Sequence, residues 1–504
     1  MSVTERIADP VDEVVHWLSL EPDDDPIVDL EALRKRLADC AVAARPGALS
    51  AEVLQLFAVR ALDASSRLRS RLITSALPLP RALHLAAKEL VELLLEVAAD
   101  LQRFAEGAGV RWPWGARPAG AIEGVQPFAL ASEAFVLTAM SGAPVPSGFW
   151  RTAHLLCGVA AEGDGVGGVR GDGGLFHYRR ILSVAVAQPE SLTPREVAWL
   201  FDYLDAVAMQ ACLSRDAIEP AASAYWIDLS ADAPPVAVVR HPVPGAGRLC
   251  HFSPAPMVRR VQEQIEWLEA RIIDAELSGV EVDGELLEPD VAGLPFGLTP
   301  AEVLALLRRL RDRWSSPPVR EQARRQHHYT VQVCVGLRAI WYLGRTASTE
   351  GRIEEWMVLN ESPGGYAVMC VSGAEGRVSA GIALALRRNA ADPWSVCIVR
   401  WVRSDSPEQI ELGLQVVSQS FAPVQVGFRG GEARNTSLAL MLPAMPPLRV
   451  NPVILAPAGT YTSRRFVFVR EGPSLYVAQG RALGLDLQTA NVEMFQYETD
   501  PYAL

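Results

Sequence analysis

The sequence has few lysines, no paired cysteines and no long apolar run, and each shortage excludes a class of protein. Among 504 residues there are two lysines, Lys35 and Lys88, and seven scattered cysteines without a CxxC pair. Such cysteines argue against a disulfide framework or a zinc site and indicate reduced thiols in a cytoplasmic protein. No uncharged apolar stretch reaches 18 residues, so no membrane span is predicted.

The motifs of common catalytic and metal sites are also missing. The sequence contains no GK[ST], HExxH or GxSxG motif. The glycine-rich stretch at 163–174 follows a helical pattern, so we interpret it as a loop between helices and not as a phosphate loop. We therefore predict a protein that is not an enzyme, with no catalytic residues, no metal and no cofactor.

The net charge of −12 is unevenly distributed along the chain. Residues 1–314 carry 29 basic and 43 acidic side chains, whereas residues 315–504 carry 18 and 16. The acidity argues against a nucleic-acid polymer as partner, because such proteins need a basic surface. All basic side chains after 314 are arginines, so an anion site there must use guanidinium groups.

Helical periodicity dominates the first part of the chain. Apolar residues recur at helical spacing from about 28 to 108, and Thr193 and Thr299 each begin a Thr-Pro-x-Glu capping box. This predicts an N-terminal helical domain at 1–120 and a second helical region at 121–314. The proline-rich passage at 232–256 is predicted to be a connector with at most one short strand.

After residue 318 the period changes to two, which indicates short strands. We predict an antiparallel β-barrel at 315–425 and a β extension at 426–504 that packs on it. The fold class is therefore an α+β multidomain chain, with an all-α N-terminal region before a C-terminal barrel. Trp394 and Trp401 are expected to lie in the barrel core.

Two short sequence motifs lie in this β half. The segment at 320–325, here called the arginine segment, has the sequence REQARR with Arg320, Arg324 and Arg325. The turn at 360–365, here called the motif turn, has the sequence NESPGG. Together they resemble the RxxxR and [DN]xSxxG motifs of the PilZ domain family of cyclic di-GMP receptors. The stretches 381–384, 399–401 and 411–414 resemble later strands of that family.

The resemblance implies a PilZ-like barrel with cyclic di-GMP as its ligand. It assigns Arg320, Arg324 and Arg325 to phosphate and guanine contacts, a chemistry for which the guanidinium fork is suited. It assigns the barrel-side wall of the site to the motif turn, through three residues: Asn360, Ser362 and Gly365. The missing Cβ of the glycine would permit the backbone to approach the ligand closely or to take a positive φ.

The whole chain also resembles bacterial receptors, related to type IV pilus and surface-sensing proteins, that join a long helical region to a PilZ-like domain. This implies a cytoplasmic receptor that signals through protein contacts, with the acidic helical region meeting a partner in pilus or motility machinery. The alternative is a degenerate PilZ-like adaptor that binds proteins and no nucleotide. Ligand stoichiometry and a homodimeric state are left open.

The spacing between the motifs departs from the family pattern. From Arg324 to Asn360 the chain advances 36 residues, and His327 and His328 lie where the first strand should begin. We expect an insertion at 344–355 to form a long hairpin loop that takes up the extra length. The two histidines are expected either to stack on a base or to cap the strand.

Overall fold

The computed structural model describes most of the chain, from residue 10 to residue 500. The described residues are 10–43, 51–107, 126–158, 173–278, 293–318, 323–345, 353–371, 376–428, 436–446, 449–461, 465–470 and 475–500. Arg320, most of the glycine-rich stretch at 163–174 and residues 346–352 of the expected insertion lie outside them.

The N-terminal region is helical, as its periodicity predicts. Its helices are α1 (Pro10–Leu18), α2 (Pro26–Ala43), α3 (Ala51–Ile73), α4 (Arg81–Gly107), α5 (Pro127–Ser141), α6 (Phe149–Gly158), α7 (Gly173–Val186) and α8 (Pro194–Val207). The capping box of α8 is confirmed: Thr193 Oγ1 accepts from the Glu196 amide, and the Glu196 carboxylate accepts from the Thr193 amide. These bonds satisfy donors that a helix start leaves free.

A small antiparallel sheet interrupts the region that we expected to be helical. Its strands are β1 (Cys212–Ser214), β2 (Tyr225–Asp228), β3 (Val236–Ala237) and β4 (Leu249–Ser253), in the order β1-β4-β2-β3. The prediction of at most one short strand was wrong here. Strands of two to five residues are too short to show a period of two in the sequence.

Two long helices lead from this sheet to the β half. They are α9 (Ala255–Ser278) and α10 (Pro300–Ser315), and α10 begins with the second predicted capping box. The helix ends at Ser315, before the pair Pro317 and Pro318, as the sequence predicts.

A closed six-stranded antiparallel barrel follows, here called the first barrel. Its elements are β5 (Arg325–Val335), α11 (Leu337–Leu343), β6 (Ile353–Ser362), β7 (Gly365–Val371), β8 (Ala383–Arg387), β9 (Ser395–Ser406) and β10 (Gln409–Ser418). Helix α11 lies between β5 and β6, so part of the extra length between the motifs is helical and not a hairpin loop. Residues 353–355 of the expected insertion belong to β6.

The expected β extension is itself a closed six-stranded barrel, here called the second barrel. Its strands are β11 (Ala422–Phe428), β12 (Ser437–Leu442), β13 (Val453–Pro457), β14 (Arg465–Arg470), β15 (Tyr476–Gln488) and β16 (Val492–Thr499). Closure leaves no sheet edge unpaired, which separate short strands in the sequence could not reveal. The residue bounds of the domains remain predictions.

Backbone and side-chain contacts join the three parts. Leu77 and Val378 form an antiparallel bridge between the helical region and the first barrel. Between the barrels, Trp341 Nε1 of α11 donates to the Val424 carbonyl at 2.8 Å, and Thr489 Oγ1 donates to the Gly381 carbonyl at 2.9 Å. In the described part of the chain, no helix combines the length and apolarity that crossing a bilayer requires.

A buried carboxyl makes the second barrel sensitive to pH. Glu493 is 1 % exposed, and burial raises its pKa to about 7 although the backbone N–H groups of Gly459 and Tyr461 donate to it. Its proton is held more tightly in the folded than in the unfolded chain. The folded state is therefore favoured most below about pH 4.5, and up to about 3 kcal/mol is lost as the pH rises towards 7.

We expect Glu493→Gln to remove this pH dependence. The neutral amide oxygen can still accept backbone hydrogen bonds but cannot ionise. Urea unfolding at pH 5 and pH 8 should show that the variant loses less stability than the wild type between the two pH values, by about 2–3 kcal/mol. Equal losses in both proteins would contradict this assignment.

Candidate functional site

The end of the arginine segment and the motif turn lie side by side at one end of the first barrel. Arg325, the first residue of β5, is the cross-strand partner of Glu361 on β6, and Gln326 is the partner of Asn360. Arg324 directly precedes β5 and is exposed. The structure thus brings Arg324 and Arg325 next to the motif turn, while Arg320 lies outside the described residues.

The motif turn is a tight hairpin between β6 and β7. Ser362 pairs with Gly365, which leaves two residues, Pro363 and Gly364, at the tip. The Ser362 hydroxyl donates to the Gly365 carbonyl at 3.3 Å, and the Gly364 carbonyl accepts from the Val416 amide of β10 at 3.0 Å. The first bond closes the hairpin on itself, and the second fixes the turn to β10.

Gly365 is required by the closure of the barrel. A Cβ atom at this position would lie 2.0 Å from the Leu414 carbonyl oxygen on β10, well inside van der Waals contact. Its φ is not in the left-handed region. From the sequence we expected a backbone approach to the ligand or a positive φ; the structure shows no positive φ and a close approach to β10 instead.

Asn360 carries an unused hydrogen-bond acceptor. Its side chain is half-buried, and its Oδ1 is buried without a hydrogen-bond partner among the described residues. An unsatisfied buried acceptor costs about 1–3 kcal/mol. Once a rotation of the side chain brings this oxygen to the surface, a ligand N–H group bonded to it would recover that cost, which makes Asn360 suited to recognising a donor such as a guanine N–H.

The two histidines form a β-bulge where β5 begins. The register with β6 shifts between Gln326 and Tyr329, so His327 and His328 together face a single residue. His327 Nε2 lies 3.4 Å from Glu361 Oε1. Both expectations for the histidines, stacking on a base and capping the strand, stay predictions.

Tyr329 secures this end of the barrel. Its hydroxyl donates to the Glu361 carboxylate, and the Arg388 guanidinium lies over its ring at 4.5 Å from the centroid. Burial raises the pKa of Tyr329, and the bond to the Glu361 carboxylate raises it further. These contacts orient the strand that follows directly from the arginine segment.

Trp401 lies outside the barrel core, contrary to the sequence expectation. It is half-exposed and is the cross-strand partner of Gly413, whose neighbours Leu412 and Leu414 both belong to the core. A Cβ on Gly413 would lie 1.8 Å from Trp401 Nε1, so the indole lies across the glycine on the outer face. Arg403 stacks on the indole at 5.3 Å. Trp394 is half-buried beside the second barrel.

A continuous strip of cross-strand partners links Asn360 to Trp401 around the outside of the barrel. Successive partners along the strip are Gln326, Asn360, Ala367, Gly413 and Trp401. Because cross-strand partners share a face, the strip has an amide at one end and an indole at the other. Between them Ala367 is 2 % exposed and Gly413 lies under the indole. The glycine between two leucines at 412–414 is visible in the sequence, but its pairing with Trp401 is not.

The chemistry of this face suits a planar, anionic ligand. Guanidinium groups can hold phosphate, the Asn360 acceptor can meet a base edge, and an indole can stack on a base.

Among the described residues no group of three His, Cys, Asp or Glu side chains could hold a metal ion.

Two models from one family match the chain. The model of the N-terminal domain of the cyclic-di-GMP receptor FimW matches residues 12–218, which hold most of α1 and helices α2 to α8. The model of the middle PilZ domain of that receptor matches residues 344–423, which include the motif turn and strands β6 to β10. Together the matches cover more than half of the chain. No curated protein and no solved structure matches it significantly.

Proposed function

Because the chain belongs to the FimW family of cyclic-di-GMP receptors with a PilZ domain, we propose that its first barrel binds cyclic di-GMP between the arginine segment and the motif turn. The observation that carries this proposal is the β5–β6 register, which sets Arg325 opposite Glu361 and Gln326 opposite Asn360. Arg320, Arg324 and Arg325 would contact the phosphates and guanine edges. Asn360, Ser362 and the Gly365 backbone would form the opposite wall.

The choice of base tests this proposal. Guanine presents the acceptors O6 and N7, which suit arginine, whereas adenine presents a donor at N6. Calorimetric titration should show that cyclic di-GMP binds at least about 100-fold more tightly than cyclic di-AMP, because each mismatched polar contact costs about 1–3 kcal/mol. Equal affinities, or no binding of either ligand, would contradict the proposal, and the latter would favour the nucleotide-free adaptor.

The outer strip extends the proposed site towards Trp401. Stacking of a base on an aromatic side chain contributes about 1–3 kcal/mol. We expect Trp401→Ala to weaken cyclic di-GMP binding by about tenfold, whereas Trp401→Phe should retain most of the affinity because a ring remains. If the alanine variant bound as tightly as the wild type, the ligand would not reach this surface.

The helical region holds the chain up to Pro318, two residues before the arginine segment begins. Helix α10 is held by Trp314 Nε1, which donates to the Ser183 carbonyl at 3.3 Å, and by Arg313 Nη1, which donates to the Ala187 carbonyl at 2.6 Å. Three residues after the end of α10, the Pro318 carbonyl accepts two bonds from the guanidinium of Arg240, which lies in the turn after β3. We propose that ligand binding alters the helical region through these anchors, and that its acidic surface meets a partner in pilus or motility machinery.

We expect Arg240→Ala to weaken cyclic di-GMP binding by about threefold to tenfold. Without this anchor the chain at Pro318 has more conformational freedom to lose when the ligand binds, and each residue fixed costs about 1 kcal/mol or more. The control is Arg248→Ala, another exposed arginine beside the same sheet, which should bind like the wild type. Identical affinities of the two variants would argue against coupling through Pro318.

A further inference from the structure

The two barrels have the same topology. If the strands of each barrel are lettered a to f in chain order, the first runs from β5 to β10 and the second from β11 to β16. Both barrels then close in the cyclic order a-b-c-f-e-d, with every neighbouring pair antiparallel. Six strands can be arranged in many cyclic orders, so the second barrel repeats the fold of the first.

The shared topology shows where a ligand site would lie in the second barrel. In the first barrel the proposed ligand lies between the segment entering strand a and the connection between strands b and c. The matching places in the second barrel are the chain entering β11 and the connection from β12 to β13. Residues 415–421, which enter β11, contain no arginine, and the connection at 443–452 contains Arg449.

Arg449 joins these two places itself. Its Nη2 donates to the Val417 carbonyl at 3.2 Å and to the Pro443 carbonyl at 2.9 Å. Val417 lies five residues before β11, as Arg320 lies five residues before β5, and Pro443 directly follows β12. The side chain is 6 % exposed, and its Nε has no hydrogen-bond partner among the described residues.

The same contact reaches the ligand site of the first barrel. Val417 is the penultimate residue of β10, and its side chain is buried at the interface of the barrels. The amide of the preceding residue, Val416, donates to the Gly364 carbonyl in the motif turn at 3.0 Å. One peptide unit therefore separates the Val417 carbonyl, which Arg449 contacts, from the Val416 amide, which holds the motif turn.

We infer that the second barrel is a copy of the ligand-binding fold in which Arg449 takes the place of the ligand and anchors the end of β10 behind the motif turn. The inference rests on the proposed function for the position of the ligand in the first barrel. The second barrel binds no dinucleotide at this place, and Arg449 is a positioning residue for the site in the first barrel.

Hydrogen exchange tests the anchor without any ligand. In Arg449→Met the aliphatic volume is kept but both carbonyl contacts are lost, so the Val416 amide should exchange at least tenfold faster than in the wild type. In Arg449→Lys, which keeps one donor group, the Val416 amide should exchange at a rate between those of the wild type and the methionine variant. The lysine variant replaces the methionine variant in this test if the latter does not fold. The control is Arg481→Met, an exposed residue of the same barrel paired with Glu498. Exchange at Val416 that is unchanged in both Arg449 variants would overturn the anchor.

Titration with cyclic di-GMP tests whether Arg449 occupies the place that a ligand would take in the second barrel. The double variant Arg324→Ala/Asn360→Ala should show no saturable binding, and Arg449→Met should bind the same number of ligands as the wild type with threefold to tenfold lower affinity. If the double variant retained binding, and adding Arg449→Met to it abolished that binding, a ligand would bind in the second barrel and the inference would be overturned. If the wild type bound nothing, the proposed function would fail, while the exchange experiment would still decide the role of Arg449.

Discussion

Replacing Arg324 by alanine is expected to weaken cyclic di-GMP binding by about 100-fold. A hydrogen bond to a charged group contributes about 1.5–3 kcal/mol, and an arginine that holds phosphate with two N–H groups is at the upper end of that range. Arg324 lies immediately before β5, beside the Arg325–Glu361 and Gln326–Asn360 pairs, and is exposed to solvent. The loss should appear in calorimetric titration as a higher Kd, with an unchanged thermal unfolding midpoint.

The matched control for Arg324→Ala is an arginine at the other end of the same barrel. Arg377 pairs with Glu354 near the start of β6, six residues or about 20 Å along the strand from Asn360. Its replacement by alanine should change the affinity less than twofold, because a surface ion pair contributes little. If both variants lost affinity equally, net charge would explain the effect and the proposed position of the ligand would be wrong.

Replacing Gly365 by alanine is expected to destabilise the first barrel by about 3 kcal/mol or more. The added Cβ would lie 2.0 Å from the Leu414 carbonyl oxygen, so either the β7–β10 ladder or the motif turn must move. Because the clash is with backbone, a side-chain rotation cannot relieve it. Urea unfolding should show the loss of stability, and cyclic di-GMP binding should fall with it because the motif turn is displaced.

Gly484→Ala provides the control for this variant. Gly484 lies in β15 of the second barrel, its φ is not in the left-handed region, and no atom would lie within 4 Å of an added Cβ. We expect its stability to stay within about 0.5 kcal/mol of the wild type. A Gly365→Ala protein with wild-type stability but no ligand binding would show that the glycine serves the ligand and not the barrel.

Much of this architecture follows from local patterns in the sequence. Helical periodicity and the Thr193 and Thr299 capping boxes predicted the helical region, because those signals are contained within a few residues. The motif turn was identified as a turn between two strands because Ser362-Pro363-Gly364-Gly365 is tight-turn chemistry within alternating residues. These features need no knowledge of distant contacts.

Features that depend on distant contacts could not be predicted. The sequence could not show that α11 occupies the space between the motifs, because its side chains pack on the second barrel more than 80 residues later. From the sequence we expected Trp401 in the core because an apolar residue in a strand is usually buried. In the structure the indole lies across its cross-strand partner Gly413, on the outer face. Closure of the second barrel likewise depends on the pairing of β11 with β14.

The central claim is that the first barrel holds cyclic di-GMP against the motif turn, and a titration of the full-length wild type beside Asn360→Ala tests it most directly. We predict saturable heat for the wild type. Asn360→Ala should bind about tenfold or more weakly, because the acceptor left unpaired at Oδ1 is lost. No saturable heat for the wild type up to about 500 μM ligand, or equal affinities of the two proteins, would contradict the claim.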